Sequence, residues 1–163
     1  MELADSVLTL KDIFVHPEES KNIYSYPFPV GTKVKRTEKG GSSHRGVYRG
    51  AEDYLVELGT PVLAPLEGLV IEVVDNKNRY GPSEEFKDDL NYITIAHPNG
   101  EYSQPAHLAE GSASVKVGDS VHTGQQIGVT GNSGWMTEPH LHLLVFRLDS
   151  NPSGFKGLRI KFK

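Results

Sequence analysis

"ASVKVGDSVHTGQQIGVTGNSG" (113–134) decides the fold class. It is a series of short strands joined by glycine turns, too short and too often interrupted for a helix. Outward from it the same grammar continues. "PVLAPLEGLVIEVVD" (61–75) is valine- and isoleucine-rich strand material broken by a turn, and "NYITIAH" (91–97) alternates polar and apolar residues. "PNG" (98–100) is a tight-turn signal followed by the extended "EYSQPAHL", and "TEPHLHLLVF" (137–146) closes the series. Short strands at close spacing with turn signals between them predict an all-β protein, an antiparallel sandwich or barrel-like core. Helical periodicity is weak, with one short turn of helix expected within residues 4–14. The polar, acidic "YGPSEEFKDDL" (80–90) is expected to be a solvated surface loop, and the basic end of "NPSGFKGLRIKFK" a closing edge strand.

Composition narrows the classes. The chain has 163 residues, 37% hydrophobic and 23% charged, and suits one domain with a real core. A net charge of −4 gives no general pull toward nucleic acid. The absence of cysteine removes disulfides, thiolate metal ligands and cysteine nucleophiles together. No run of 18 apolar residues is present to span a membrane. "MELADSVLTLKDIF" has acids where a signal peptide carries lysines, so the chain either stays in the cell or has lost a leader.

In "TEPHLHLLVF", period-two geometry puts His140 and His142 on one strand face and Leu141, Leu143 and Val145 on the other. Two imidazoles side by side are a candidate ligand or acid–base pair. Of the seven histidines, His16 beside Pro17, His97 before a turn and His122 in "SVHTG" are expected at the surface. His44 lies in the loop "GGSSHRG", His107 ends "YSQPAHL", and Asp53 lies nine residues after His44. Two histidines and one carboxylate, with water in the fourth position, is a common catalytic zinc arrangement. Spacing alone does not assemble these distant residues into one.

Six blocks in order resemble the lysostaphin-type, M23 or LytM-like, zinc endopeptidases. They are "YPFPVGTKV", "SHRG" with the aspartate of "AEDY", "GTPVLAPLEGLV", "YITIAHPNGEYSQPAHL", "VKVGDSVHTGQQIGVTGNSG" and "EPHLHLLV". The resemblance implies one Zn²⁺ held by His44, Asp53 and His142, with His107 and His140 as catalytic partners. It also implies hydrolysis of peptide bonds in peptidoglycan stems or cross-bridges. The domain would run 26–148, with an N-terminal arm (1–25) and a C-terminal strand or tail (149–163). The family's commonest pattern places the first histidine ligand four residues before the aspartate. Arg49 stands there, and it stays protonated and cannot ligate a cation. Either His44 reaches the metal through "RGVYRGAE", or the fold is kept as a peptide-binding or scaffold module with an impaired site. Trp135, Met136 and Glu138 replace a more usual small-residue run and are expected near the cleft. The glycine hairpins are also similar to biotinyl and lipoyl carriers and to sugar-phosphotransferase domains, but no Met-Lys or Asp-Lys turn supports a carrier. The resemblance implies work at the cell envelope, and without an export signal the cytoplasm stays open.

Overall fold

The computed structural model describes residues 17–40 and 44–163. The helical turn expected within residues 4–14, and His16, lie outside the described residues. The chain forms short strands: β1 (Glu19–Tyr24), β2 (Arg36–Glu38), β3 (Glu52–Leu55), β4 (Pro61–Leu63), β5 (Gly68–Val74), β6 (Tyr80–Gly81) and β7 (Tyr92–Ala96). They continue as β8 (Glu101–Ala106), β9 (Ser120–Val121), β10 (Gln126–Val129), β11 (Gly134–Trp135), β12 (Leu141–Leu148), β13 (Phe155–Gly157) and β14 (Arg159–Phe162). Among the described residues the helical elements are single 3-10 turns, so the all-β expectation holds.

The large antiparallel sheet runs β2-β3-β12-β8-β7-β5-β9 and stays open, with β13 added beside the far end of β12. β12 is its spine. One edge pairs β8 along Ala106 to Glu101; the other pairs β3 at Leu141–Leu143 and β13 at Phe146–Leu148. Alternation along β12 falls as period two requires, because Leu141, Leu143 and Val145 are fully buried. They join Val70, Ile93 and Ile95 of the same sheet and Val62 and Ile127 of the separate β4–β10 pair in one apolar core. Truncating Leu143 to alanine would cost about 2–5 kcal/mol.

The two ends of the described chain meet. β14, expected as an edge strand, pairs with β1, and the pairing is parallel. The buried Glu101 carboxylate fastens β1 to the sheet, accepting from the Lys21 and Asn22 amides at 2.7 and 3.1 Å and from the Tyr24 hydroxyl at 3.1 Å. The "PNG" turn is built with Asn99 in the left-handed region at φ 63°. The acidic 80–90 segment is mostly exposed, as expected. It also makes one parallel pairing, β6 on β11, so it packs beside the stretch leading into β12.

His97 corrects an expectation. It is buried, its Nδ1 2.7 Å from the Glu67 carbonyl oxygen and its Nε2 2.7 Å from Ser103 Oγ. The room comes from Gly68: a Cβ there would stand 2.2 Å from the Ala96 carbonyl oxygen and 2.9 Å from His97 Nδ1. The missing side chain of a facing strand, not the local pattern, sinks this imidazole into the core.

Candidate metal centre and catalytic cleft

Backbone register builds the centre. Glu38 pairs with Asp53 across β2–β3, Asp53 with His142 across β3–β12, and His142 with Ala106 across β12–β8. Directly opposed residues share a sheet face, so Glu38, Asp53 and His142 line up, and His107 follows one residue past the row. His142 Nδ1 lies 2.8 Å from Asp53 Oδ1. His44, brought in by the loop before β3, puts its Nε2 3.1 Å from the same oxygen. Ligand atoms of His44, Asp53 and His142 all lie within 4.8 Å of one another.

These three fit a cation by an observation independent of pattern. Both ring nitrogens of His44 are buried and neither has a hydrogen-bond partner. Asp53 Oδ1 is near enough to Nε2 for an ion pair but badly aligned for an N–H bond. An orphaned buried imidazole is costly unless something else takes its lone pair. Burial opposes ionisation of Asp53, yet the imidazoles of His142 and His44 outweigh it and hold the carboxyl well below the usual range. Burial likewise opposes charge on His44, and Asp53 overcomes it, raising the imidazole above its ordinary value. The donor set, two imidazoles and one carboxylate with a side left open, is the zinc type.

His107 and His140 border this triad. Their rings stand 4.4 Å apart, and His107 is 6.2 Å from the His142 ring. His140 Nε2 is 3.8 Å from Asp53 Oδ1, and its Nδ1 is 2.8 Å from the Glu138 carbonyl oxygen. His107 Nδ1 lies 2.7 Å from the Ser133 carbonyl oxygen. A carbonyl only accepts, so Nδ1 carries the proton and Nε2 is the free acceptor. Burial, then the neighbouring His140, push the His107 pKa down to about 3, which keeps the ring neutral. His107 also holds φ 65°, a left-handed conformation that costs a non-glycine residue on the order of 1–3 kcal/mol and that gathers at functional sites.

Asn91 and Ser133, both fully buried, fix that unusual turn. Asn91 N donates to Ser133 Oγ at 3.1 Å, and Ser133 Oγ donates to the Leu108 carbonyl at 3.0 Å. Asn91 Nδ2 donates to the same carbonyl at 3.1 Å. The sequence gave no role to Asn91 or Ser133, whose partners lie far away along the chain.

The cleft holds about 300 Å³, lined by the triad's Asp53 and His142, by His107 and His140, and by Leu55, Trp135, Met136, Glu38 and Glu138. Trp135, Met136 and Glu138 therefore sit where expected. Glu38 and Arg36 were missed: Arg36 Nε binds Glu38 at 2.9 Å and Nη2 binds Glu138 at 2.6 Å, joining the cleft's rims. Arg49 is not at the triad. It lines a second recess with Asp149 and Lys156, and its carbonyl abuts Gly157.

An open β-sheet with a His–Asp–His cluster and two further imidazoles at one cleft has the donor set of a metal-site protein. The Peptidase family M23 profile matches residues 42–153, and the chain belongs to that family. Glycyl-glycine endopeptidase ALE-1 of Staphylococcus capitis is 35% identical over 124 residues, 75% of this chain and 28% of that protein. Peptidoglycan DD-endopeptidase ShyC of Vibrio cholerae is 36% identical over 112 residues, 68% of this chain and 22% of that protein. The chain thus spans about a quarter of the length of such relatives. The catalytic domain of lysostaphin from Staphylococcus simulans superposes with a TM-score of 0.51 at 26% identity, covering 85% of this chain and 88% of that one. A zinc-containing peptidase from Vibrio cholerae gives 0.55 at 28% identity, covering 76% and 36%.

Proposed function

We propose that this chain is a zinc-dependent endopeptidase that hydrolyses peptide bonds in peptidoglycan stems or cross-bridges. One observation carries it: buried His44, with no hydrogen-bond partner, converges with Asp53 and His142 beside the His107–His140 pair. His44, Asp53 and His142 would hold the ion. When bound, Zn²⁺ supplies Lewis acidity and lowers the pKa of water toward about 7.

The remaining chemistry belongs to the side chains. His107, neutral with Nε2 free, is set to accept a hydrogen bond at the cleft. His140, its Nδ1 donating to the Glu138 carbonyl and its Nε2 bordering Asp53, accepts at Nε2 when neutral and serves a developing oxyanion or a leaving amine there only as the imidazolium. An open cleft with Trp135 on its rim suits an extended, small-residued peptide. Relatives named as a glycyl-glycine endopeptidase and a peptidoglycan DD-endopeptidase support that substrate class. The place of action is then the cell envelope. No helix among the described residues is long and apolar enough to cross a membrane.

The test incubates the zinc-loaded chain with oligoglycine and with peptidoglycan-derived peptides and counts new amino termini. Cleavage should stop with a chelator, return with added zinc and vanish in His142→Ala. A fully loaded protein that binds these peptides without cutting them would leave the scaffold alternative instead.

A further inference from the structure

The family match ends at residue 153. The ten residues after it form β13 and β14, and they pack against the loop that delivers His44. We propose that this C-terminal segment is the positioning element for His44, so that residues outside the family's core set the affinity of the metal centre. The proposal rests on His44, Asp53 and His142 being the ligands.

The loop needs such a support. Eight residues, 45–52, separate His44 from Asp53. Their internal order is one 3-10 turn, Gly46–Tyr48, closed by bonds of 3.1–3.2 Å from the Tyr48, Arg49 and Ala51 amides to the Arg45, Gly46 and Tyr48 carbonyls. A single such turn does not stand alone in water. The His44 ring meets the Asp53 carboxylate at 3.1 Å but makes no aligned hydrogen bond to it, so the loop backbone decides whether the ring reaches that carboxylate.

The support is visible on the other side. A Cβ at Gly157 of β13 would stand 2.4 Å from the Arg49 carbonyl oxygen and 2.6 Å from that of Val47. A Cβ at Gly50, which sits at φ 96°, would stand 2.3 Å from the Leu158 carbonyl oxygen. The two backbones are therefore in direct contact at two glycines. The Tyr48 ring meets Phe155 edge-on at 5.6 Å, and Phe155 meets Phe146 of β12 at 5.4 Å. Ala51 and Leu158 are buried at the junction. β13 is itself registered on β12, Gly157 opposite Phe146, four residues past His142. One strand thus presents His142 directly and, through β13, seats the loop bearing His44. Arg159 N donating to the Glu18 carbonyl at 2.7 Å then ties the segment to the start of β1.

The experiment compares full-length Tyr48→Ala, Phe155→Ala and Gly157→Ala with wild type. Zinc affinity is read by competition with a chromophoric chelator, and thermal unfolding is followed separately in excess chelator. For Tyr48→Ala the expected result is zinc binding weaker by about 10–100-fold, the range seen when a ligand's outer support is lost, with little change in the chelated protein's midpoint; Phe155→Ala and Gly157→Ala should weaken zinc binding at least as much and lower that midpoint too. In a His44→Ala background the same changes should leave affinity unaltered. Affinities within twofold of wild type, or an equal loss with and without His44, would overturn the proposal and leave the segment a purely structural strap. Should Gly157→Ala fail to fold, the exposed Tyr48 and half-buried Phe155 variants decide. A wild type that binds no zinc, or binds equally well as His44→Ala, would instead remove the ligand assignment beneath it.

Discussion

His44 and His97 are buried to nearly the same depth, 5% and 9% exposed, and they are held in opposite ways. His97 spends both nitrogens on near neighbours, donating from Nδ1 to the Glu67 carbonyl and accepting at Nε2 from the Ser103 hydroxyl, with Tyr24 edge-on at 5.5 Å. Burial depresses its pKa, so it stays neutral. His44 spends neither nitrogen on a hydrogen bond, and the Asp53 carboxylate pulls its pKa the other way against burial. Depth therefore does not mark a functional histidine. What marks it is unmet bonding capacity aimed at other ligands.

The contrast is sharpest in activity. His142→Ala or His44→Ala should lower hydrolysis of peptidoglycan peptides on the order of 10³-fold or more, since the loss of the ion removes several kcal/mol of transition-state stabilisation. Zinc content by atomic absorption should fall in parallel. His97→Ala should do the reverse: urea unfolding should show about 1–3 kcal/mol of lost stability from stranded partners, with one zinc still bound. A His97→Ala protein of unchanged stability that no longer held zinc would break the distinction.

Acid pH gives a subtler test. Because His97 has a lower pKa folded than unfolded, the unfolded chain binds the extra proton between those values, and stability rises with pH there. Its contribution is complete above the unfolded value of about 6.5 and drains away as pH falls below it. Subtracting His97→Gln from wild type in denaturant titrations at pH 7 to 5 should expose that slope, at most about 1.4 kcal/mol per pH unit. The smallest effect belongs to His122, which is exposed: alanine there should shift stability by no more than about 0.5 kcal/mol and leave zinc affinity alone.

How much of this the sequence disclosed follows from the range of the interactions. Strand alternation and glycine turns act locally, and they revealed the all-β class, the buried face Leu141–Leu143–Val145 and the paired histidines opposite it. The spacing of distant blocks carried His44, Asp53 and His107 to one neighbourhood by resemblance. His97 was misjudged because its burial depends on a glycine twenty-nine positions earlier on a facing strand. Asn91, Glu38 and the parallel β1–β14 pairing escaped for the same reason: each is defined by a partner across the fold, and nothing in its own window differs from an ordinary strand or turn.

The three-strand ladder β3–β12–β8 has a kinetic corollary. Asp53 and His142 face each other across the hydrogen-bonded β3–β12 ladder, so separating them requires that backbone pairing to open. His44 arrives on eight residues resting against a neighbour, and such segments open with far less free energy than a central strand. An ion would thus escape by the lifting of one loop, leaving two of its grips in place and ready to recapture it.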